Sequence, residues 1–234
     1  MDTNFIVGQT AIITGVSKGL GRELAIQLLD LGATVIGWGR TQPDHQHPHF
    51  FFIHCQVQNP ESVQQAWEKS QAISPNIHFL INNAGFGAFA PIEKITPVVW
   101  QEMFDVNVKG AFLCSQAVVP QMKVQQSGHI LNISSIAGRV GMPQGEAYNA
   151  SKFALRGFSE SLFQELRKDR IKVSTIYPGS IATHFFDEIA GVDAHENMMD
   201  AATVARSIIQ IMDTPPNYLV REIEMRPLIS KPPK

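Results

Sequence analysis

The sequence predicts an α/β fold: three layers, with a parallel, doubly wound sheet of about seven strands covered by helices on both faces. Three observations carry that expectation. Short apolar, β-branched runs alternate with amphipathic stretches from Thr10 to Met212, the pattern of successive βαβ units. The first run, Thr10–Thr14, enters a glycine-containing turn and then a helix. No internal repeat and no linker interrupts the alternation, so residues 1–234 are expected to form one domain.

Composition agrees. The 234 residues are 44% hydrophobic and 17% charged, enough for a soluble domain with a sizeable core. A net charge of −2 argues against a nucleic-acid partner, which calls for a basic face. Apolar runs have strand length, so no membrane span is expected. The first residues lack the basic and long apolar regions of a secretory signal, and a reducing, cytoplasmic setting follows as the expectation. Cys55 and Cys114 are too few for a disulfide framework and read as small buried apolar groups.

Taken in order, Thr10–Thr14 is the first strand and Arg22–Leu31 the first helix, with Leu24, Ala25, Leu28 and Leu29 on one face. The turn between them carries Gly15, Gly19 and Gly21. Such a turn lets backbone approach a pyrophosphate, and the following helix start supplies N–H groups. Thr34–Arg40 is the second strand. Arg40 at its end and Lys18 in the glycine turn form a two-cation pair suited to the 2′-phosphate of NADP(H), where an acid would select NAD. Thr41–His49 contains two prolines and is too short for a full crossover helix. His45, His47, His49, His54 and Cys55 raise the question of a metal. Alternate positions of a Pro-broken loop point different ways, so a solvated loop and no metal site are expected.

Phe50–Val57 is the third strand, Pro60–Ile73 a helix with Pro at its start, and Ile77–Ile81 a strand running into Asn82-Asn83-Ala84-Gly85. Gly85–Pro91 forms an apolar lip. Pro97–Gln126 is helical and holds Asn107, a residue unfavourable inside a helix unless its amide does something specific. A strand through Ile130, Leu131 and Ile133 breaks at Ser134 and Ser135, and a helix runs from Glu146 to Lys168. Ile171–Tyr177 is a strand ending at Pro178–Gly179. Ser180–Met199 is a loop or short helices, Ala201–Met212 a helix and Val220–Pro227 a last strand. The tail from Leu228 reads as extended or disordered.

The chemistry lies in the middle. Tyr148 and Lys152, four residues apart, share a helix face, and an ammonium beside a phenol favours the phenolate. Ser135 can hold a substrate oxygen against that phenol. The set outlines a proton-transfer site.

A Ser followed thirteen residues later by Tyr-x-x-x-Lys, here Ser135, Tyr148 and Lys152, resembles the signature of the classical short-chain dehydrogenase/reductase family. Three more motifs recur in order: TGVSKGLG at Thr14–Gly21, NNAG at Asn82–Gly85, and Pro178–Gly179 followed by Thr183. The resemblance implies a Rossmann fold and NADP(H)-dependent hydride transfer between the nicotinamide and a carbonyl or secondary alcohol. Tyr148 would be the general acid/base, Ser135 the oxygen's hydrogen-bond partner, Lys152 the modulator of the phenol and Asn107 a relay residue. It implies cofactor contacts from Gly15, Ser17, Lys18, Gly19, Leu20, Gly21, Arg40, Gln56, Val57, Asn83, Ala84, Gly85 and Ile133. Pro178, Gly179, Ile181 and Thr183, with Asn107, Tyr148 and Lys152, complete that set. Phe86, Met142 and Phe185 join Ser135 and Tyr148 at the substrate.

The chain departs from the family in three places. Gly39 stands where NAD-preferring members carry Asp, Gln56 replaces an Asp that touches adenine, and the second crossover is abbreviated. The long helices at Pro97–Gln126 and Glu146–Lys168 resemble those that pair across a twofold in relatives, which implies a homodimer or homotetramer. Two alternatives stand beside this reading: a catalytically silent nucleotide-sensing or scaffold protein, and, among enzymes, a 3-oxoacyl-carrier-protein reductase. The region that would select the substrate, Gly85–Pro91, Gly138–Glu146 and Ser180–Met199, is apolar with one candidate cation, Arg139, and shows no clear basic docking patch for a carrier protein.

Overall fold

Strands apolar on both faces need cover on both sides, and the chain supplies it by alternating strand with helix. The computed structural model describes residues 4–183 and 196–229. It contains β1 (Thr10–Thr14), β2 (Thr34–Gly39), β3 (Phe50–His54), β4 (Phe79–Asn82), β5 (Gly128–Ile133) and β6 (Ile171–Pro178). A small pair, β7 (Ile181–Ala182) and β8 (Met199–Asp200), precedes β9 (Glu222–Met225). The main sheet is parallel throughout, in the order β3-β2-β1-β4-β5-β6-β9. This is the expected Rossmann order with a seventh strand.

One face is covered by α1 (Gly19–Asp30) and α6 (Ala201–Met212), whose Leu24, Leu28, Val204 and Ile208 meet Ile13, Val35 and Ile81 of the sheet. The other is covered by α2 (Pro60–Ile73), α4 (Gly110–Gln125) and α5 (Glu146–Leu166), which bury Val63, Trp67, Cys114, Val118 and Leu166 against Ile12, Ile36, Leu80 and Ile130. α3 (Pro97–Phe104) precedes α4. Cys55 and Cys114 are buried free thiols, as expected, and burial raises both above the ordinary thiol value.

Where elements differ from the sequence reading, local hydrogen bonding explains it. β4 starts at Phe79, after Ile77, because the Ile77 N–H is taken by the Gln125 side chain at 3.1 Å. The helical stretch from Pro97 is interrupted by a π-helical segment, Asp105–Lys109, centred on Asn107. The loop after Gly179 returns far enough for β7 and β8 to pair. No helix forms between β2 and β3. The connecting loop leaves Phe50 and Phe52 only partly buried against the α1-side core. The loop is mostly exposed; His45 in it is half-buried, its ring stacks on His47 at 6.4 Å, and its enclosed Nε2 has no hydrogen-bond partner among the described residues.

Candidate active site

Turns at the carboxyl ends of β1, β4, β5 and β6 meet at one end of the sheet. Gly15, after β1, adopts φ +73°, and a Cβ on Gly21 would lie 2.2 Å from the Gly15 carbonyl oxygen. The turn therefore closes only with glycine at both positions. α1 starts here with Lys18 in the capping position. No side chain caps it, and no carboxylate lies in its first turn. By contrast, α2, α3 and α6 are capped by Asn59, Thr96 and Asp200. The uncapped N–H groups of α1 are a donor set that fits a pyrophosphate. Lys18 and Arg40 are exposed and, among the described residues, have no ion-pair partner.

The turn after β4 is braced onto that of β1. Thr14 Oγ1 accepts from the backbone N–H groups of Asn83 (3.0 Å) and Ala84 (2.9 Å). The Asn83 amide donates to the carbonyls of Thr14 (3.0 Å) and Gly15 (3.1 Å). Asn83 thus sits where expected, with its side chain committed to the protein. Thr183 closes the far side: a Cβ on Gly19 would lie 3.3 Å from the Thr183 Cβ, so the Pro-Gly segment and the glycine turn touch.

Tyr148 occupies the first turn of α5, 7% exposed, with the Ser135 side chain facing its hydroxyl. Ser135 Oγ also accepts from the Ala137 N–H at 3.1 Å. Lys152 lies one turn along, buried. Its Nζ donates to the Ile133 carbonyl at 3.0 Å and stands 5.7 Å from the Tyr148 ring centroid. Burial pushes Tyr148 up to about 12, offset only in part by the bond to Ser135, and pulls Lys152 down to about 8. Burial is the larger cause of the Tyr148 shift, and Lys152 is not among its causes.

Asn107 is buried in the π-helical segment, where the extra residue per turn aims its amide at the lip. It donates to the Phe86 carbonyl (2.9 Å) and to Ser151 Oγ (3.0 Å), and accepts from the Phe86 N–H (3.0 Å). A Cβ on Gly85 would lie 2.9 Å from Asn107 Oδ1 and 3.6 Å from Lys152 Nζ, so amide and ammonium flank the same turn.

Sequence reasoning missed the residues that hold this set in place. Asn149, next to Tyr148, donates to the carbonyls of Ala137 and Val140, both at 2.7 Å, and accepts from the Met142 N–H at 3.3 Å. It pins the segment after Ser135 to α5. Ser151 passes the Asn107 bond on to the Tyr148 carbonyl at 2.8 Å. Both lie inside the Tyr–Lys spacing, where a polar side chain facing inward was the available signal.

The remaining predicted residues divide. Phe86 and Met142 pack in the apolar cluster that contains Tyr148. Leu20, Ile133 and Ile181 belong to the α1-side core and Val57 to the opposite one. Gln56 is exposed, Ser17 half-buried and Pro178 buried. Phe185 lies outside the described residues. Arg139, the candidate cation, is occupied: it faces Glu222 at 3.8 Å and Glu224 at 3.6 Å and stacks over the Tyr177 ring at 4.9 Å. Among the described residues there is no group of three metal-ligating side chains, and no helix is long and apolar enough to cross a membrane.

A family model described as short chain dehydrogenase matches residues 9–192. The uncharacterized oxidoreductase YbbO of Escherichia coli (strain K12) is 32% identical over 208 residues, covering 87% of this chain and 77% of its own. Farnesol dehydrogenase of Aedes aegypti is 28% identical over 240 residues, covering 96% and 98%. Among solved structures, the closed form of serine dehydrogenase complexed with NADP+ superimposes with a TM-score of 0.86 at 26% identity, over 93% of this chain and 94% of that one. A metagenomic short-chain oxidoreductase in complex with NADP gives 0.80 at 26% identity, over 96% and 99%.

Proposed function

Because the chain belongs to the short chain dehydrogenase family, we propose that it is an NADP(H)-dependent oxidoreductase acting on a carbonyl/secondary-alcohol pair, with Tyr148 as the general acid/base. The observation that carries this reading is the buried Tyr148, its hydroxyl facing Ser135, with Lys152 Nζ 5.7 Å from its ring. When bound, the nicotinamide supplies the hydride to the carbonyl carbon or takes it from the alcohol. The chain's own residues handle the proton. In reduction, Tyr148, neutral at pH 7, gives its proton to the carbonyl oxygen. Ser135 hydrogen-bonds that oxygen as charge develops on it. Lys152 stands next in line, held by the Ile133 carbonyl, and Asn107 fixes the turn beside it.

The unpaired Lys18 and Arg40 support NADP(H) over NAD(H), since a 2′-phosphate gains two cations and a free ribose hydroxyl gains none. Two structural neighbours hold NADP in their solved forms, in keeping with this preference. Exposed Trp100, Phe112 and Phe153 on α3, α4 and α5 support pairing of two copies through these helices.

The test is calorimetric titration with NADPH and then NADH, followed by a carbonyl screen with NADPH. Tight NADPH binding with turnover is expected. Equal affinity for the two would remove the role of Lys18 and Arg40. Binding without any turnover would favour the nucleotide-sensing alternative.

A further inference from the structure

Among the described residues, two segments flank the Tyr148 ring, and neither carries a charge. From Ala84 to Ile92 and from Val140 to Gly145 there is no acidic or basic side chain. Phe89 lies across the site: its ring centroid is 5.2 Å from that of Tyr148, and a Cβ on Gly145 would touch its Cε1 at 3.5 Å. The two walls are joined by one hydrogen bond, Ala90 N–H to the Gln144 carbonyl, at 3.0 Å. Gln144 holds a left-handed backbone (φ +61°) to present that carbonyl, a conformation that costs energy outside glycine. Behind Phe89, the side chains of Phe86, Ala88, Ile95, Val99 and Met142 continue the apolar surface onto Met103. Arg139, the nearby guanidinium, is spent on Glu222 and Glu224. Glu146, at the start of α5, is exposed.

We infer that the substrate is an uncharged carbonyl or alcohol whose carbon chain packs on Phe89, so that Phe89 sets specificity for an apolar body beside the reacting carbon. The inference rests on the oxidoreductase reading above and adds the chemical class of its substrate. An acidic carrier-linked or carboxylated substrate would bring a charge to walls that offer it no partner, a loss that apolar contact does not repay. An alkyl chain instead gains with every methylene removed from water.

The experiment compares straight-chain 2-ketones from 2-butanone to 2-decanone, and the ω-carboxylate counterpart of the best of them, on the wild type and on Phe89→Ala with NADPH. In the wild type, kcat/KM is expected to rise about threefold per methylene until the wall is covered. The carboxylate should fall at least about tenfold below its neutral partner. In Phe89→Ala the rise of kcat/KM with chain length should flatten. A flat wild-type series, or preference for the carboxylate, would overturn the inference. Titration of the matching alcohols on the NADPH-loaded protein separates the two claims, because it reads the wall without chemistry. Affinity that climbs with chain length, without turnover, keeps the apolar wall and removes the reaction. Turnover without length dependence does the reverse.

Discussion

The two ends of the dinucleotide cleft are built on opposite plans. At the proposed chemical end, Ser134 to Lys152 together with Asn107, polar side chains are held by several bonds each: Asn149 by three and Asn107 by three, while Ser135 accepts from the Ala137 N–H. At the adenosine end, from Lys18 to Phe50, the groups that matter are exposed cations, an uncapped helix and a loop in place of a helix. Buried, mutually satisfied networks fix geometry at high cost if broken. Exposed charge gives selectivity at low cost to the fold. Substitutions at the first end should therefore disturb chemistry and folding, and those at the second only the choice of cofactor.

The largest effect is expected from Tyr148→Phe. The ring keeps its contact with Phe89, so the fold stands, but the proton donor is gone, and kcat should fall about a thousandfold or more with little change in NADPH affinity. Steady-state kinetics paired with a binding titration read both. A variant as active as wild type would remove Tyr148 from the mechanism. Asn149→Ala comes next. It strands the buried Ala137 carbonyl and two part-buried backbone groups, the Val140 carbonyl and the Met142 N–H, which should cost about 2 kcal/mol of stability in chemical denaturation and loosen the Ser135 turn. A loss under about 0.5 kcal/mol would show that the segment from Ala137 to Met142 is held by other means.

This contrast also explains what the sequence disclosed. The alternation of strand and helix and the starts of α2 and α6 follow from hydrophobic period, Pro60 and the Asp200 cap, all local signals, whereas the strand order was implied by the family resemblance. Ser135, Tyr148 and Lys152 stand out because chemistry restricts their types and spacing. The bracing roles of Thr14, Asn149 and Ser151 were not legible, since each depends on a carbonyl or hydroxyl supplied from another element. The π-helical turn at Asn107 is likewise set by tertiary bonds to Phe86 and Ser151, which override the α-helical propensity around it. The depth at which Tyr148 is buried was not legible for the same reason: a cation four residues away is visible in sequence, whereas burial is not.

Lys152 gives a pH signature of the buried end. Its folded value of about 8 lies below the ordinary 10.5, so between those values the unfolded chain binds more protons and stability rises with pH. Lys152→Met has no such proton to lose. The variant's stability advantage or deficit relative to wild type should therefore shift toward wild type by roughly 2 kcal/mol between pH 8 and pH 10.5, measured by denaturation at both ends. A gap that stays constant would mean that Lys152 is not desolvated as described.

The adenosine end should yield the smallest and most selective effect. Arg40→Ala is expected to weaken NADPH about tenfold and leave NADH unchanged, with no loss of thermal stability, because Arg40 is exposed and touches no other charge among the described residues. Asp44→Ala is its control: Asp44 is 91% exposed and 3.9 Å from Arg22, an ion pair worth little in water, so neither cofactor affinity nor stability should move. Equal weakening of NADPH and NADH in Arg40→Ala would show that this end braces the nucleotide as a whole. The division between a fixed chemical end and a selective charged end would then fail.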